Sequence, residues 1–388
     1  MSVLAPWLPD LPPRWDVVQM RRVATIRNGV DYKEVEVSAG GYPVYGSGGE
    51  FRRASEYLYD GVSVLFGRKG TIDRPLLVTG RFWTVDTMFF TELSEKVEPR
   101  FFHYYALTMP FSYYATNTAL PSMTQGELGG HRMPLPPLNL QRSIADFLDR
   151  ETARIDALID DQQRLVKLFK ERRQAAVDLV FNGAPTRRVE LRRLLSQSPT
   201  YGVLVPRYVE PEEPGAVQFF RVGDLSSAQL VPSARWVSGE QSDEYGRTVL
   251  REGDVLLGVV GKMGSAAVAP AWASGANVAR AVAVLRPAMD VQPELLRAWL
   301  TSSEFLEQAG SATSGDSVQP TLGMADLSRF IVSWPSTSGV WHRLELSLSR
   351  LDALIAETER FIELSKERRA ALITAAVTGQ IDVRDAVA

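Results

Sequence analysis

Side chains able to do chemistry are few in this 388-residue sequence, and their spacing argues against catalysis. His103, His131 and His342 are the only histidines, and none stands at metal-ligand spacing from another His or a Cys. With no cysteine there is neither a thiolate site nor a disulfide. Gly258-Val259-Val260-Gly261-Lys262-Met263-Gly264-Ser265 resembles a phosphate loop only superficially. Its glycines are too close together, and Met263 stands where Ser or Thr would hold magnesium. A strand-to-turn glycine cluster is the better reading. No Gly-x-Ser-x-Gly elbow appears, and no spacing isolates a pair of catalytic carboxylates. The chain reads as a non-enzyme that holds no metal or cofactor of its own.

Basic turns are the positive signal. Arg52-Arg53 and Arg68-Lys69 sit among Tyr45, Ser47, Phe51 and several glycines. That composition suits loops approaching a nucleic-acid backbone, where Arg and Lys take phosphates and polar side chains read base edges. Thr124 and Gln125 join this set. Farther along come Arg221, Lys262 and Arg280, with Ser314 and Gln319 bounding a polar loop. The bland alternative is a solvated surface, since exposed arginine pairs are common. Charge favours the bland side: residues 1–139 carry 14 Lys+Arg against 14 Asp+Glu, and residues 185–339 carry 14 against 16. Nucleic-acid binding must then rest on local clusters. A second set, Lys170, Arg172, Arg173 and Lys366, Arg368, Arg369, falls in two Lys-Glu-Arg-Arg blocks. These are either solvated helix faces with i,i+4 pairs or one partner's docking patch used twice.

The elements that must position these residues are organised by a repeat. Arg154–Gly183 returns as Arg350–Gly379 at a constant offset of 196 residues, without a gap. Each copy reads as part of a long helix. The first starts after Pro134-Leu135-Pro136-Pro137, with Asn139 as N-cap, and stops at Gly183. Its near-heptad seam is Ile144, Leu148, Ile155, Leu158, Leu165, Phe169 and Ala176. The second, from about Val340 to Thr378, offers Leu344, Leu348, Leu351, Leu354, Phe361, Leu364 and Leu372. Some 40 residues at about 1.5 Å each make a rod of roughly 60 Å, which needs a partner. Two rods of equal length suit each other, antiparallel because their like-signed termini repel.

Around the rods lie two mixed segments, which makes the fold class α+β. In the first, Val62–Phe66 and Phe82–Thr91 read as strands, and Pro99–Tyr114 as a helix with Phe101, Phe102, Tyr104, Tyr105 and Leu107 on its core face. The second restarts the first: Val189–Leu194 echoes Val18–Val23, Glu252–Gly258 echoes Asp60–Gly67, and Thr321–Leu327 echoes Ser122–Leu128. Between these anchors the halves barely agree. Expected boundaries are 1–138, 139–184, 185–339 and 340–388 with its tail. No run of about 18 apolar residues marks a membrane span, the N-terminus lacks the features of a signal peptide, and absence of cysteine fits a cytoplasmic location.

This duplicated order resembles the DNA-specificity subunit of type I restriction–modification systems. The residues that carry the likeness are Leu11-Pro12-Pro13-Arg14-Trp15, Pro134-Leu135-Pro136-Pro137-Leu138-Asn139-Leu140-Gln141-Arg142, Ile155-Asp156-Ala157-Leu158-Ile159 and Leu372–Ile381. One departure is Asn139-Leu140 where the family usually has an acidic residue before Gln. The lead-in to the second helix, Trp334–Gly339, is more degenerate.

The resemblance implies two α/β target-recognition domains separated by two long helices in an antiparallel coiled coil, with a pseudo-twofold internal repeat. Each domain would read half of a split, asymmetric site in double-stranded DNA. Two methyltransferase subunits would dock on the helices and bring S-adenosylmethionine. Two motor-nuclease restriction subunits can join such a complex, bringing ATP and magnesium. The alternative class is a coiled-coil assembly scaffold that joins two copies of a partner without touching DNA. A self-contained methyltransferase would need an Asn-Pro-Pro-Tyr-like loop, which this sequence lacks.

Overall fold

The computed structural model describes residues 7–114, 122–183, 185–226, 229–261, 263–313, 320–337 and 339–383. They form two compact units, Met1–Gln163 with Arg360–Ala388, and Arg164–Glu359. The fold is mixed helix and sheet, as expected. Each unit pairs a sheet-rich domain with parts of two long helices, Leu138–Asn182 and Val340–Val377.

The first unit carries a seven-stranded sheet in the order Ala24–Asn28, Met88–Leu93, Tyr59–Gly67, Leu76–Thr84, Tyr42–Gly46, Gly49–Ala54, Glu36–Val37. The apolar stretch read as one strand over Phe82–Thr91 is divided between two strands, Leu76–Thr84 and Met88–Leu93, which lie on either side of Tyr59–Gly67 and do not pair with each other. Met88 N–H donates to Val85 O at 2.9 Å, and the chain turns at Val85–Thr87 to cross from one side of Tyr59–Gly67 to the other. Pro99–Tyr114 is likewise divided, into Pro99–Ala106 and Phe111–Tyr114, with Pro110 between them and Leu107 facing solvent. Phe66, Phe89, Phe101, Phe102, Tyr105 and Met133 build the core with Ile144 and Leu148 of the first long helix and Ile373, Ala376 and Val377 of the second.

A two-stranded antiparallel ribbon, Asp16–Gln19 against Arg132–Leu135, closes this domain just before the helix. The helix starts at Leu138, two residues earlier than Asn139 as N-cap required, because Pro137 O takes the first amides, Leu140 N–H at 2.9 Å and Gln141 N–H at 3.0 Å. Gln141 then locks the junction. Its buried amide accepts from Glu98 N–H at 2.8 Å and donates to Pro136 O at 2.8 Å and Lys96 O at 3.1 Å. Arg100 adds ion pairs to Asp149 at 2.6 Å and Asp146 at 2.9 Å.

In the second unit two four-stranded sheets replace the single one. Their orders are Thr200–Tyr201, Val282–Leu285, Val255–Gly258, Ala266–Val268 and Tyr208–Val209, Trp236–Val237, Val217–Phe220, Asn277–Val278. The closing ribbon returns as Thr186–Glu190 against Ile331–Pro335. Trp299, Phe305, Leu257, Val177, Phe181, Leu344 and Leu348 share one core. Asp178 fastens the domain to the helix by accepting from Ser303 N–H at 2.8 Å and Ser303 Oγ at 2.7 Å.

Within each unit the long helices run antiparallel. Asp156 pairs with Arg369 at 2.8 Å in the first; Arg173 pairs with Asp352 at 2.7 Å and Lys170 with Glu359 at 2.8 Å in the second. The buried seam differs from the expected one by one residue in its middle. It takes Leu148, Thr152, Ile155, Ile159, Val166, Val177 and Phe181 from one helix and Leu344, Leu348, Leu351, Thr358, Ile362, Ser365, Ile373 and Val377 from the other. Leu158, Phe361 and Leu364 of the first unit, and Leu354, Leu165 and Leu168 of the second, are instead 39% to 56% exposed. Heptad geometry puts these six on the flank opposite the ion pairs. The second helix stops at Gly379, whose φ of 72° is the left-handed C-terminal turn. Gly379 also lies so close to Pro12 and Trp15 that a Cβ would stand 2.5 Å from Pro12 Cγ.

The first unit buries a histidine inside a hydrogen-bonded aromatic cluster. His131 is 1% exposed, with the Trp7 ring stacked 5.0 Å away. Tyr105 Oη donates to Arg132 O at 2.9 Å and so accepts from His131 Nε2, 2.7 Å away, while Tyr114 Oη donates to Nδ1 at 2.5 Å. Burial pulls the imidazole down to about 4 from 6.5 and holds it neutral. The unfolded chain therefore takes up this proton first as pH falls, so the stabilisation is complete above about pH 6.5 and is lost toward pH 4. The shift corresponds to on the order of 3 kcal/mol. Urea unfolding of the first unit at pH 7 and pH 4.5 should show most of that loss. His131→Gln should start lower and fall less; equal falls in the two proteins would remove His131 as the cause.

Candidate nucleic-acid interface

The sequence scatters Arg68-Lys69 and Thr124-Gln125 more than fifty residues apart, and the first unit's fold gathers them. Strand Tyr59–Gly67 ends at Gly67, where a Cβ would meet Thr71 O at 2.1 Å, so only glycine permits the following loop. Arg68 and Lys69 are then held by Thr87 O, which accepts both their amides, at 2.8 and 3.3 Å. Met123 N–H donates to Arg68 O at 3.0 Å, and Lys69 and Ser122 form a β-bridge. The result is a cleft of about 330 Å³ lined by Arg68, Lys69, Ser122, Thr124, Gln125 and Asn28.

Each group there has a defined availability. Lys69 is exposed. The Arg68 guanidinium lies 5.9 Å over the Phe89 ring and makes one long contact, 3.4 Å, to Asp86 O. Thr124 is occupied: it caps helix Gln125–Gly130 in a reciprocal capping box with Glu127, whose carboxyl is held below its usual range by those hydrogen bonds. Gln125 donates its amide to Ile26 O at 2.6 Å, which leaves its carbonyl oxygen as an acceptor. Two cations, an acceptor and the Asn28 amide around one cleft can meet phosphate and base edge together. Asn28 was not among the expected residues; its Asn28-Gly29 turn signal at a strand end could have flagged it.

The other basic turn of this unit is engaged elsewhere. Arg52 pairs with Glu36 at 3.0 Å. Arg53 pairs with Glu50 at 2.8 Å and donates to Gly40 O at 2.7 Å and Gly41 O at 2.9 Å, bracing two consecutive residues with positive φ. Tyr45 is half-buried; desolvation, then Glu50, raises its phenol. Ser47 sits half-buried in the turn between Tyr42–Gly46 and Gly49–Ala54.

In the second unit the same fastening recurs with other residues. Val260 and Thr321 form the β-bridge that Lys69 and Ser122 form in the first. Valines thus stand where the first unit has its Arg-Lys pair. Arg221 donates to Tyr208 Oη at 3.2 Å and lies 5.7 Å over that half-exposed ring, a flat cationic platform that the sequence did not reveal. Arg280 is exposed, with its backbone held by Val203 O at 2.8 Å. Lys262, Ser314 and Gln319 lie outside the described residues.

Of the residues expected to meet a protein partner, Lys170, Arg173 and Arg369 reach across the helix pair to carboxylates, and Lys366 pairs with Glu363 at 2.8 Å on its own helix. Arg172 and Arg368, equivalent in the repeat, stay exposed. Among the described residues there is no cluster of His, Cys, Asp or Glu fit for a metal, and no helix is long and apolar enough to cross a membrane.

Comparison with known proteins gives one answer at three levels. Residues 12–166 match the family described as type I restriction modification DNA specificity domain. The specificity subunit of the type I restriction enzyme EcoBI from Escherichia coli is 24% identical, over 83% of this chain and 76% of its own length. A chain from a structural study of assembly and conformational transition in a type I restriction–modification system superposes with a TM-score of 0.73. It is 19% identical, and the match covers 96% of this chain and 100% of that one. The HsdS subunit from Thermoanaerobacter tengcongensis gives 0.51 at 18% identity, covering 96% and 99%. The two structures speak to the fold, and the resemblance read from the sequence is borne out.

The cleft predicts a salt signature. Replacing Arg68 and Lys69 together by Ala should weaken duplex binding by the assembled complex and reduce the slope of log affinity against log salt by about 2. Binding curves at four salt concentrations that superimpose on the parent's would take this loop out of the interface.

Proposed function

We propose that this chain, whose residues 12–166 belong to the type I restriction modification DNA specificity domain family, is the non-catalytic sequence-reading subunit of a type I restriction–modification complex. Residues 1–138 and 185–339 act as target-recognition domains, each reading one half of a bipartite, asymmetric site. Residues 139–184 and 340–388, the second with its tail, act as spacer and assembly platform. Methyl transfer belongs to two docked methyltransferase subunits carrying S-adenosylmethionine. Restriction, where motor-nuclease subunits join, draws on their ATP and magnesium.

One observation carries the reading: a fixed frame with unlike contents. Ribbon, β-bridge and helix seam recur in both halves, while Arg68-Lys69 gives way to Val259-Val260 and one sheet gives way to two. A shared frame serves a shared partner; different loops serve different base sequences.

The exposed apolar residues support docking of two copies of one partner. Leu158, Phe361 and Leu364 in one unit have Leu354, Leu165 and Leu168 as repeat equivalents in the other. Three large apolar side chains on one flank of a helix pair are a ready surface for another helix. Arg172 or Arg368 beside them supplies a charge to orient it.

Four measurements test this with a coexpressed methyltransferase. Exchanging residues 1–138 for those of a relative should change one half of the methylated motif only, and an unaltered or a continuous motif would sink the bipartite reading. Inserting a heptad in both helices lengthens each by about 10 Å, so the unread gap should grow by about 3 base pairs while the read bases stay the same. Leu364→Glu should leave one methyltransferase copy per chain instead of two; two copies retained would clear that flank of a docking role. Absence of duplex binding at low salt by the whole complex would favour a scaffold that joins two partner copies.

A further inference from the structure

The unit Arg164–Glu359 contains a second cleft, about 710 Å³, that the reading of DNA does not use. At its wall lies Arg297, on helix Pro293–Trp299 and only 7% exposed. Among the described residues its guanidinium has no hydrogen-bond or ion-pair partner. The acidic groups that act on it, Asp352 and Glu294, do so from beyond contact, and the Asp352 carboxylate is committed to Arg173 at 2.7 Å. Lys170, also lining the cleft, is committed to Glu359 at 2.8 Å. Three cations thus face two carboxylates, and the uncompensated charge is the buried one. Burial and the neighbouring Arg173 lower the affinity of Arg297 for its proton.

A guanidinium taken out of water without a partner is costly to the fold. Such a group at the wall of a polar, ligand-sized cleft is prepared for an anion. We propose that this cleft binds a small phosphate-class oxyanion, with Arg297 as the principal donor and Gln229 and Ser265 as further polar groups at its wall. The planar guanidinium fork matches two oxygens of such a group. The cleft is much larger than phosphate alone, and Leu225, Met263 and Ile355 line the remainder. The anion therefore enters as part of a small molecule with an apolar portion.

The first half of the chain provides an internal contrast. The helices Pro99–Ala106 and Pro293–Trp299 both begin with proline, and His103 holds the position of Arg297. Arg369 acts on His103 as its repeat equivalent Arg173 acts on Arg297. His103 Nε2, however, lies 3.2 Å from Pro75 O and is satisfied. Only the second copy keeps an unpaired cation.

The test uses the full chain in its complex, titrated calorimetrically with inorganic phosphate, with a nucleoside monophosphate and with a short DNA duplex. Phosphate should bind at one equivalent per chain and raise the thermal midpoint of the second unit. The monophosphate should compete for that site and bind more tightly. Arg297→Gln should abolish both effects. Ala356→Trp, at an exposed helix position on the cleft's wall, fills the space without touching a charge and should abolish them too. His103→Gln should change neither. The proposal is overturned if phosphate fails to bind, if binding survives both cleft variants, if His103→Gln removes it, or if only the duplex binds.

Discussion

A helix of 45 residues cannot bury its apolar side alone, and everything in this molecule follows from giving it a partner. The seam supplies the energy: each aliphatic side chain such as Ile155, Leu351 or Ile362 is worth about 1.5–3 kcal/mol when buried. The ion pairs supply direction. Arg173 with Asp352 and Arg369 with Asp156 are partly exposed, and pairs of this kind contribute about 0.2–1 kcal/mol each. They are also the same pair written twice, at the repeat offset. That identity fits only an antiparallel register, because a parallel one would set Arg173 beside Arg369 and Asp156 beside Asp352.

The repeat was legible in the sequence because identity along a helix needs no geometry to be seen. The seam was legible only in part. Leu158, Leu165, Phe361 and Leu364 look like core and are exposed, while Thr152, Gln162, Thr358 and Ser365 look like interruptions and stand on or near the seam. A hydrophobic pattern cannot distinguish one apolar stripe from two, and these helices carry two. The short strands failed for a related reason: Phe82–Thr91 reads as one strand because the strand ends on both sides of its turn are buried, and the turn uses Val85-Asp86-Thr87 without glycine or proline.

The candidate interface was harder to read, since composition locates basic residues but not what they are spent on. Arg53 and Arg68 are equivalent as letters. One braces two left-handed glycines through their carbonyls, and the other projects over an aromatic ring beside a cleft. Thr124 was selected as a polar reader and is a helix cap. Tyr208 was passed over and forms half of a cationic platform. In every case the deciding partner lies in another strand or loop, brought there by the sheet.

The contact of Gly379 with Pro12 and Trp15 gives the molecule a property that neither repeat nor sheet has alone. Residues more than 360 positions apart in sequence meet there inside one unit. That unit draws its core from Phe66 and Phe101 early in the chain and from Ile373 and Val377 late in it, whereas Arg164–Glu359 is continuous in sequence. The first domain to be started is therefore the last whose core can be completed.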